Sequence, residues 1–216
     1  MGRIWNLVAI EARIELRERF ALAGLLLYVL SSSFIVFSIW RQLPAKEWGL
    51  TFWVIFLFCS LMAVLKTFGR ESETRYYYYY TLYHPLELFL AKVLYNAALL
   101  IFIFLSLWFV LFVMAGDHIV RGGWFLATGF MACIGLSVLL TLIASIAIKT
   151  QQNASMTAIL ALPLMIPVLI NILRLTAYSL GTTPDENPWN EVTLLTSIIS
   201  LVTGMALWLF PYLWRS

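Results

Sequence analysis

Six long uncharged apolar runs, at roughly residues 20–40, 48–65, 93–116, 122–148, 150–173 and 192–214, dominate this chain of 216 residues. Each is near or above the about 18–20 residues that a helix needs to cross the hydrocarbon of a bilayer. In that medium every backbone N–H and C=O must find a partner inside the protein, which leaves helices and closed barrels as the spanning forms. A barrel strand reads as about ten residues of alternating polarity, whereas these runs are continuous. Composition agrees, since 62% hydrophobic and 12% charged residues lie far from a soluble domain. The expected fold is an all-α integral membrane protein with six transmembrane helices, residues 1–216 forming a single transmembrane domain. Spans and short connections take up nearly all of these residues and leave no room among them for a soluble catalytic domain, so a non-catalytic role is expected.

Orientation follows from the basic residues in the connections, because Lys and Arg resist translocation. With both termini inside, the inner segments hold Arg3, Arg13, Arg17, Arg19, Lys66, Arg70, Arg75, Lys92, Lys149 and Arg215, and the outer ones hold Arg41, Lys46, Arg121 and Arg174. The bias predicts a multi-pass protein with both termini cytoplasmic. The net charge of +3 then reports topology, and no basic stripe suggests a nucleic-acid partner.

Residues 3–20 read as an amphipathic helix lying in the membrane interface. Trp5, Ala9, Ala12, Leu16 and Phe20 recur at helical spacing on one face, Glu11, Glu15 and Glu18 form an acidic stripe, and Arg13 and Arg17 occupy a third face. The alternative is a solvated extension of the first span held by ion pairs. Charges continue to Arg19 with no short apolar core and cleavage site behind them, which is unlike a cleaved signal peptide.

Beyond Phe20 no Asp or Glu lies well inside an apolar run, so the intramembrane carboxylates of ion-coupled transporters are missing. Ser31, Ser32, Ser33, Asn96 and Asn171 are the soft polar groups of the spans, suited to helix packing or to substrate contact. Cys59 and Cys133 lack Cys-x-x-Cys spacing and read as buried thiols. His84 and His118 fall on opposite sides of the predicted membrane and cannot share a metal within one chain. His118, in GDHIVRG, reads as a solvated loop residue, with axial haem ligation as the alternative. No directly bound metal or cofactor is expected. The pattern G-x-x-x-x-G-K-[ST] is absent, so any use of ATP requires a partner chain.

The fifth run carries ILALPLMIPVLI at 159–170, in which Pro163 and Pro167 each remove a backbone donor on one side of the helix. The pair predicts a bend or local unwinding, either a broken helix facing a cavity or a hinge. Residues 174–191, including TAYSLGTTPDENPWN, read as the largest outer loop.

ILALPLMIPVLI resembles the fifth-span signature of the haem exporter protein B family (CcmB), the permease subunit of the cytochrome c maturation ABC transporter. IEARIELRERF near the N-terminus and LAKVLYN at 90–96 resemble the same family in the same order, and length, six spans and inside termini agree. The resemblance implies a type-two ABC exporter permease-like fold in the bacterial inner (cytoplasmic) membrane. It further implies an ABC ATPase partner, haem-handling and small membrane subunits, a periplasmic haem chaperone, and two permease copies or an equivalent assembly. The implied activity couples ATP hydrolysis on the ATPase to release of the haem-loaded chaperone. A type-two exporter permease for a lipid or another small molecule is the alternative.

In such permeases the loop between the second and third spans forms a coupling helix that fits a groove on the ATPase. Here that segment, 66–92 with the start of the third span, contains ESETRYYYYYTLYHPLE. Arg70 and Glu71 match the start of the wider class pattern and Pro85 and Lys92 its end, while tyrosines replace its Gly-Thr-Leu-Glu centre. Tyrosines bury large surfaces at low entropic cost and keep a polar tip. On a helix Tyr76, Tyr80 and Tyr83 share one face, with Arg75 beside them. Together with Arg70, Glu71 and Pro85 they are the expected ATPase-coupling residues; an aromatic belt at the inner headgroups is the alternative.

Overall fold

The computed structural model describes residues 2–17, 19–39, 43–69, 85–116, 118–149, 154–183 and 187–215. All regular structure among them is helical: α1 (Gly2–Arg17), α2 (Arg19–Ile39), α3 (Ala45–Gly69), α4 (Pro85–Ala115), α5 (Gly122–Lys149), α6 (Ala154–Ser179) and α7 (Pro188–Arg215). Five stretches, Leu22–Ile39, Ala45–Thr67, Pro85–Ala115, Gly122–Ile146 and Pro188–Phe210, are long and apolar enough to cross a membrane. In α6, the fifth expected span, the apolar stretch found among the described residues is the shorter Pro163–Ser179.

Local chemistry sets the helix ends. α4 begins at Pro85 with Glu87 in its first turn, the positions where a fixed φ and an acidic group suit a helix N-terminus. It stops at Gly116, whose φ of 83° lets its N–H reach the Phe112 carbonyl at 3.1 Å. α6 closes with a Schellman turn: Gly181, at φ 72°, donates to the Tyr178 carbonyl at 3.1 Å, and Thr182 donates to that of Ala177 at 3.0 Å. The Asn187 Oδ1 accepts from the Trp189 N–H at 3.2 Å and caps α7. The expected outer loop 174–191 is therefore much shorter, because Arg174–Ser179 complete α6 and Pro188–Glu191 open α7. Gly181→Ala combines a strained φ with a Cβ 3.3 Å from Val120. It is expected to cost about 1–2 kcal/mol, read as a lower midpoint of thermal unfolding in detergent.

The long helices alternate in direction, so α1 and the ends of α3, α5 and α7 share one end of the bundle with the starts of α4 and α6. α5 lies at the centre, packed against α3, α4, α6 and α7, and Gly135–Ser145 are buried without a break. A helix apolar on all sides belongs in such a position. Its glycines bring neighbours close: a Cβ at Gly129 would enter the Phe104 ring of α4, and one at Gly135 would stand 2.9 Å from Ile199 of α7.

Two buried polar contacts pin the bundle. Asn96 of α4 donates to the Thr141 hydroxyl of α5 at 2.8 Å. Trp53 of α3 donates to the Thr176 hydroxyl of α6 at 2.8 Å, and that hydroxyl donates to the Ile172 carbonyl at 2.8 Å. Asn171 instead bonds within α6, donating to the Pro167 carbonyl at 2.8 Å. Ser31 and Ser32 likewise donate to the Tyr28 carbonyl of their own helix. α6 runs through Pro163 and Pro167 as one continuous helix. Both prolines are exposed, and of the bend or local unwinding expected there the helix shows no unwinding. Cys59 and Cys133 are buried free thiols.

Candidate functional site at the base of α4

Of the sequence-expected coupling residues, Arg70, Glu71, Arg75, Tyr76, Tyr80 and Tyr83 lie outside the described residues. The structure defines what this segment joins. It leaves the end of α3 beside Lys66 and enters α4 at Pro85.

Seven residues into α4 stands Lys92, only 2% exposed. An ammonium in such a place needs a counter-charge, because burial without one is very costly. Glu11 of α1 supplies it, with Oε1 3.8 Å from the Lys92 Nζ. Around this pair, Leu7 of α1, Leu88, Phe89 and Ala91 of α4, Val138 and Leu142 of α5, and Ala206 and Phe210 of α7 form one apolar cluster. The Phe89 and Phe210 rings sit 4.8 Å apart. One Glu87 carboxylate oxygen is also buried here, with no hydrogen-bond partner among the described residues. A displacement of the first turns of α4 thus acts directly on α1, α5 and α7.

This geometry changes the reading of α1. Among the described residues α2 starts at Arg19 and α1 covers Gly2–Arg17. Its bundle-facing side is built from Ile4, Leu7 and Val8 with Glu11, while Trp5 is 70% exposed and Ala9 is exposed too. The stripe through Trp5 and Ala9 faces away from the packed helices. Glu11 belongs to the packed side and is not part of a free acidic stripe. Arg13 is exposed; the side chains of Glu15 and Arg17 lie outside the described residues.

The opposite end of the bundle is aromatic. Trp48 stacks on Phe52 at 5.6 Å, leans on Phe125 at 5.8 Å and lies 6.3 Å from His118. Trp108 packs against the other side of the cluster, 5.9 Å from Phe125. His118 is thus half-buried against Trp48 and not the solvated loop residue expected from GDHIVRG. Its Nε2 and the indole nitrogens of Trp48 and Trp108 are buried with no hydrogen-bond partner among the described residues. Arg121 caps this end, stacking 4.0 Å over the Tyr178 ring and donating to the Tyr178 carbonyl at 2.9 Å. Among the described residues no three His, Cys, Asp or Glu side chains gather as metal ligands would.

Sequence reasoning placed Lys92 at the end of a coupling motif and Glu11 on a separate stripe, and missed that they meet. The available signal was the cation itself, flanked by Leu90, Ala91, Val93 and Leu94, a setting that demands an acid from elsewhere in the chain.

The described residues form an all-helical bundle with several helices long and apolar enough to cross a membrane and a charge-paired, aromatic-packed base. No family model, curated protein or solved structure matches the chain.

Proposed function

We propose that this chain is the permease subunit of an ABC transporter complex for cytochrome c maturation. It would act in the bacterial inner membrane as six spans, with α6 the fifth and both termini cytoplasmic. A separate ATPase subunit engages the 66–92 segment, and closure of the ATPase on ATP pushes that segment against the base of α4. The motion passes through Lys92–Glu11 to α1 and through Phe89–Phe210 to α7. Beyond the membrane it drives release of a haem-loaded periplasmic chaperone from a haem-handling subunit. Haem is the cargo of the complex, and this chain contributes motion and not a catalytic group.

The observation that carries the reading is the joining of α1, α5 and α7 to the first two turns of α4, immediately after the tyrosine segment. The order of ILALPLMIPVLI, the N-terminal charged helix and LAKVLYN supports the choice of family. Purification from membranes in mild detergent tests it: recovery of an ATPase together with haem-handling subunits is the expected result. Recovery of an ATPase alone favours an exporter of another cargo, and absence of any ATPase overturns both. In the same preparation, Tyr76→Ala/Tyr80→Ala/Tyr83→Ala should weaken ATPase association by on the order of tenfold or more, with membrane insertion unchanged. Undiminished association would assign these tyrosines to the lipid surface instead.

A further inference from the structure

Between the start of α3 and the end of α6, at the end of the bundle away from α1, lies a groove of about 200 Å³. Its walls are Gly49 and Leu50 of α3 and Leu173, Ala177 and Leu180 at the end of α6. At its floor Gly49 lets α6 close on α3, since a Cβ there would stand 2.9 Å from Leu180 and 3.4 Å from Thr176. Leu50 is exposed at its mouth. Two cations, Lys46 and Arg174, belong to the same lining. Lys46 is the second residue of α3 and is exposed. The Arg174 side chain is 58% exposed, and one of its nitrogens pairs with Glu191 at 3.0 Å, leaving the other donors of a five-donor guanidinium for a second acceptor.

We propose that this groove binds one anionic phospholipid, its phosphate between Lys46 and Arg174 and one acyl chain along Leu50, Leu173 and Ala177. Each part of the geometry selects that occupant. An apolar wall with two cations in the same lining matches an amphiphile at the membrane–water boundary, where Lys and Arg hold their charges toward the headgroups. A soluble anion would leave the apolar wall wet. A protein helix, about 10 Å across, cannot enter a groove of this volume. The site depends only on the chain being embedded in a membrane and is independent of the ATPase partner and of the cargo.

Native mass spectrometry of the purified protein in mild detergent tests the proposal, using phosphatidylglycerol and phosphatidylcholine with identical acyl chains. Phosphatidylglycerol should be retained about fivefold or more over phosphatidylcholine, in keeping with the strength of one basic residue near a headgroup. Lys46→Gln, at an exposed position with no ion pair recorded among the described residues, should remove most of that preference. Leu50→Trp, which fills the mouth, should reduce retention of both lipids, and glycerol phosphate should compete with neither. Equal retention of the two lipids, an unchanged preference in Lys46→Gln, or displacement by glycerol phosphate would each overturn the site. Arg174→Gln is a less clean probe, because it also frees Glu191, so the charge argument rests on Lys46.

Discussion

Glu11→Ala should destabilise the protein by about 3–5 kcal/mol, the order of cost for removing one member of a buried ion pair. Lys92 is the more deeply buried member, with a side chain 3% exposed against 16% for Glu11, so removing the acid is the more severe of the two single changes. Loss of this counter-charge removes a link between α1 and the base of α4 and weakens the cluster around Phe89 and Phe210. Thermal unfolding in detergent, followed by loss of helical signal and of monodisperse protein, reads the effect. Glu11→Met/Lys92→Met should recover most of the lost stability, because an apolar pair of similar size carries no desolvation cost. If the single variant unfolds like wild type, the pair does not hold α1 to α4. Should the double variant be folded and yet fail to transmit ATPase activity in the assembled complex, the pair would be a coupling element as well as a structural one.

Gly129→Ala is expected to lower stability despite the gain in helix propensity that this exchange normally brings, about 1 kcal/mol. The added Cβ has no place to go except into the Phe104 ring, which is itself held by Phe52, Phe56 and Phe125. Overpacking a full core costs about 1–3 kcal/mol, and a ring locked among three others yields little. The sign should reverse once the ring is removed. In a Phe104→Leu background the same exchange should become neutral or stabilising, since the methyl then occupies space that the smaller side chain leaves. A double-mutant cycle on thermal midpoints checks both halves. An additive cycle would mean that α4 and α5 do not cross at Gly129 as described.

How far these features could be read in advance depends on how local their causes are. Pro85 with Glu87 announces the start of α4, and the apolar runs place five helices close to where they lie, because hydropathy and cap chemistry act over a few residues. The Gly, Pro, Thr and Asn content of TAYSLGTTPDENPWN points to a loop over 174–191, longer than the break between α6 and α7. In the fold the Thr176 and Ser179 hydroxyls turn back onto carbonyls of their own helix, and Gly181 delays its end. The side of α1 that packs could not be chosen from its pattern. Trp5 and Leu7 are both apolar, and lipid and protein interior attract them alike.

What this sequence determines by itself is a set of helices long and apolar enough to cross a membrane: uncharged runs of spanning length and capping residues that punctuate them. Backbone satisfaction in hydrocarbon and the hydration of charge enforce these whatever the helices pack against. Only the tertiary structure decides that Lys92 meets Glu11, that Gly129 receives Phe104, that His118 leans on Trp48, and that Lys46 and Arg174 share one groove. Those contacts join residues that are far apart in the chain, and they follow from the order and rotation of the packed helices, which hydropathy does not encode.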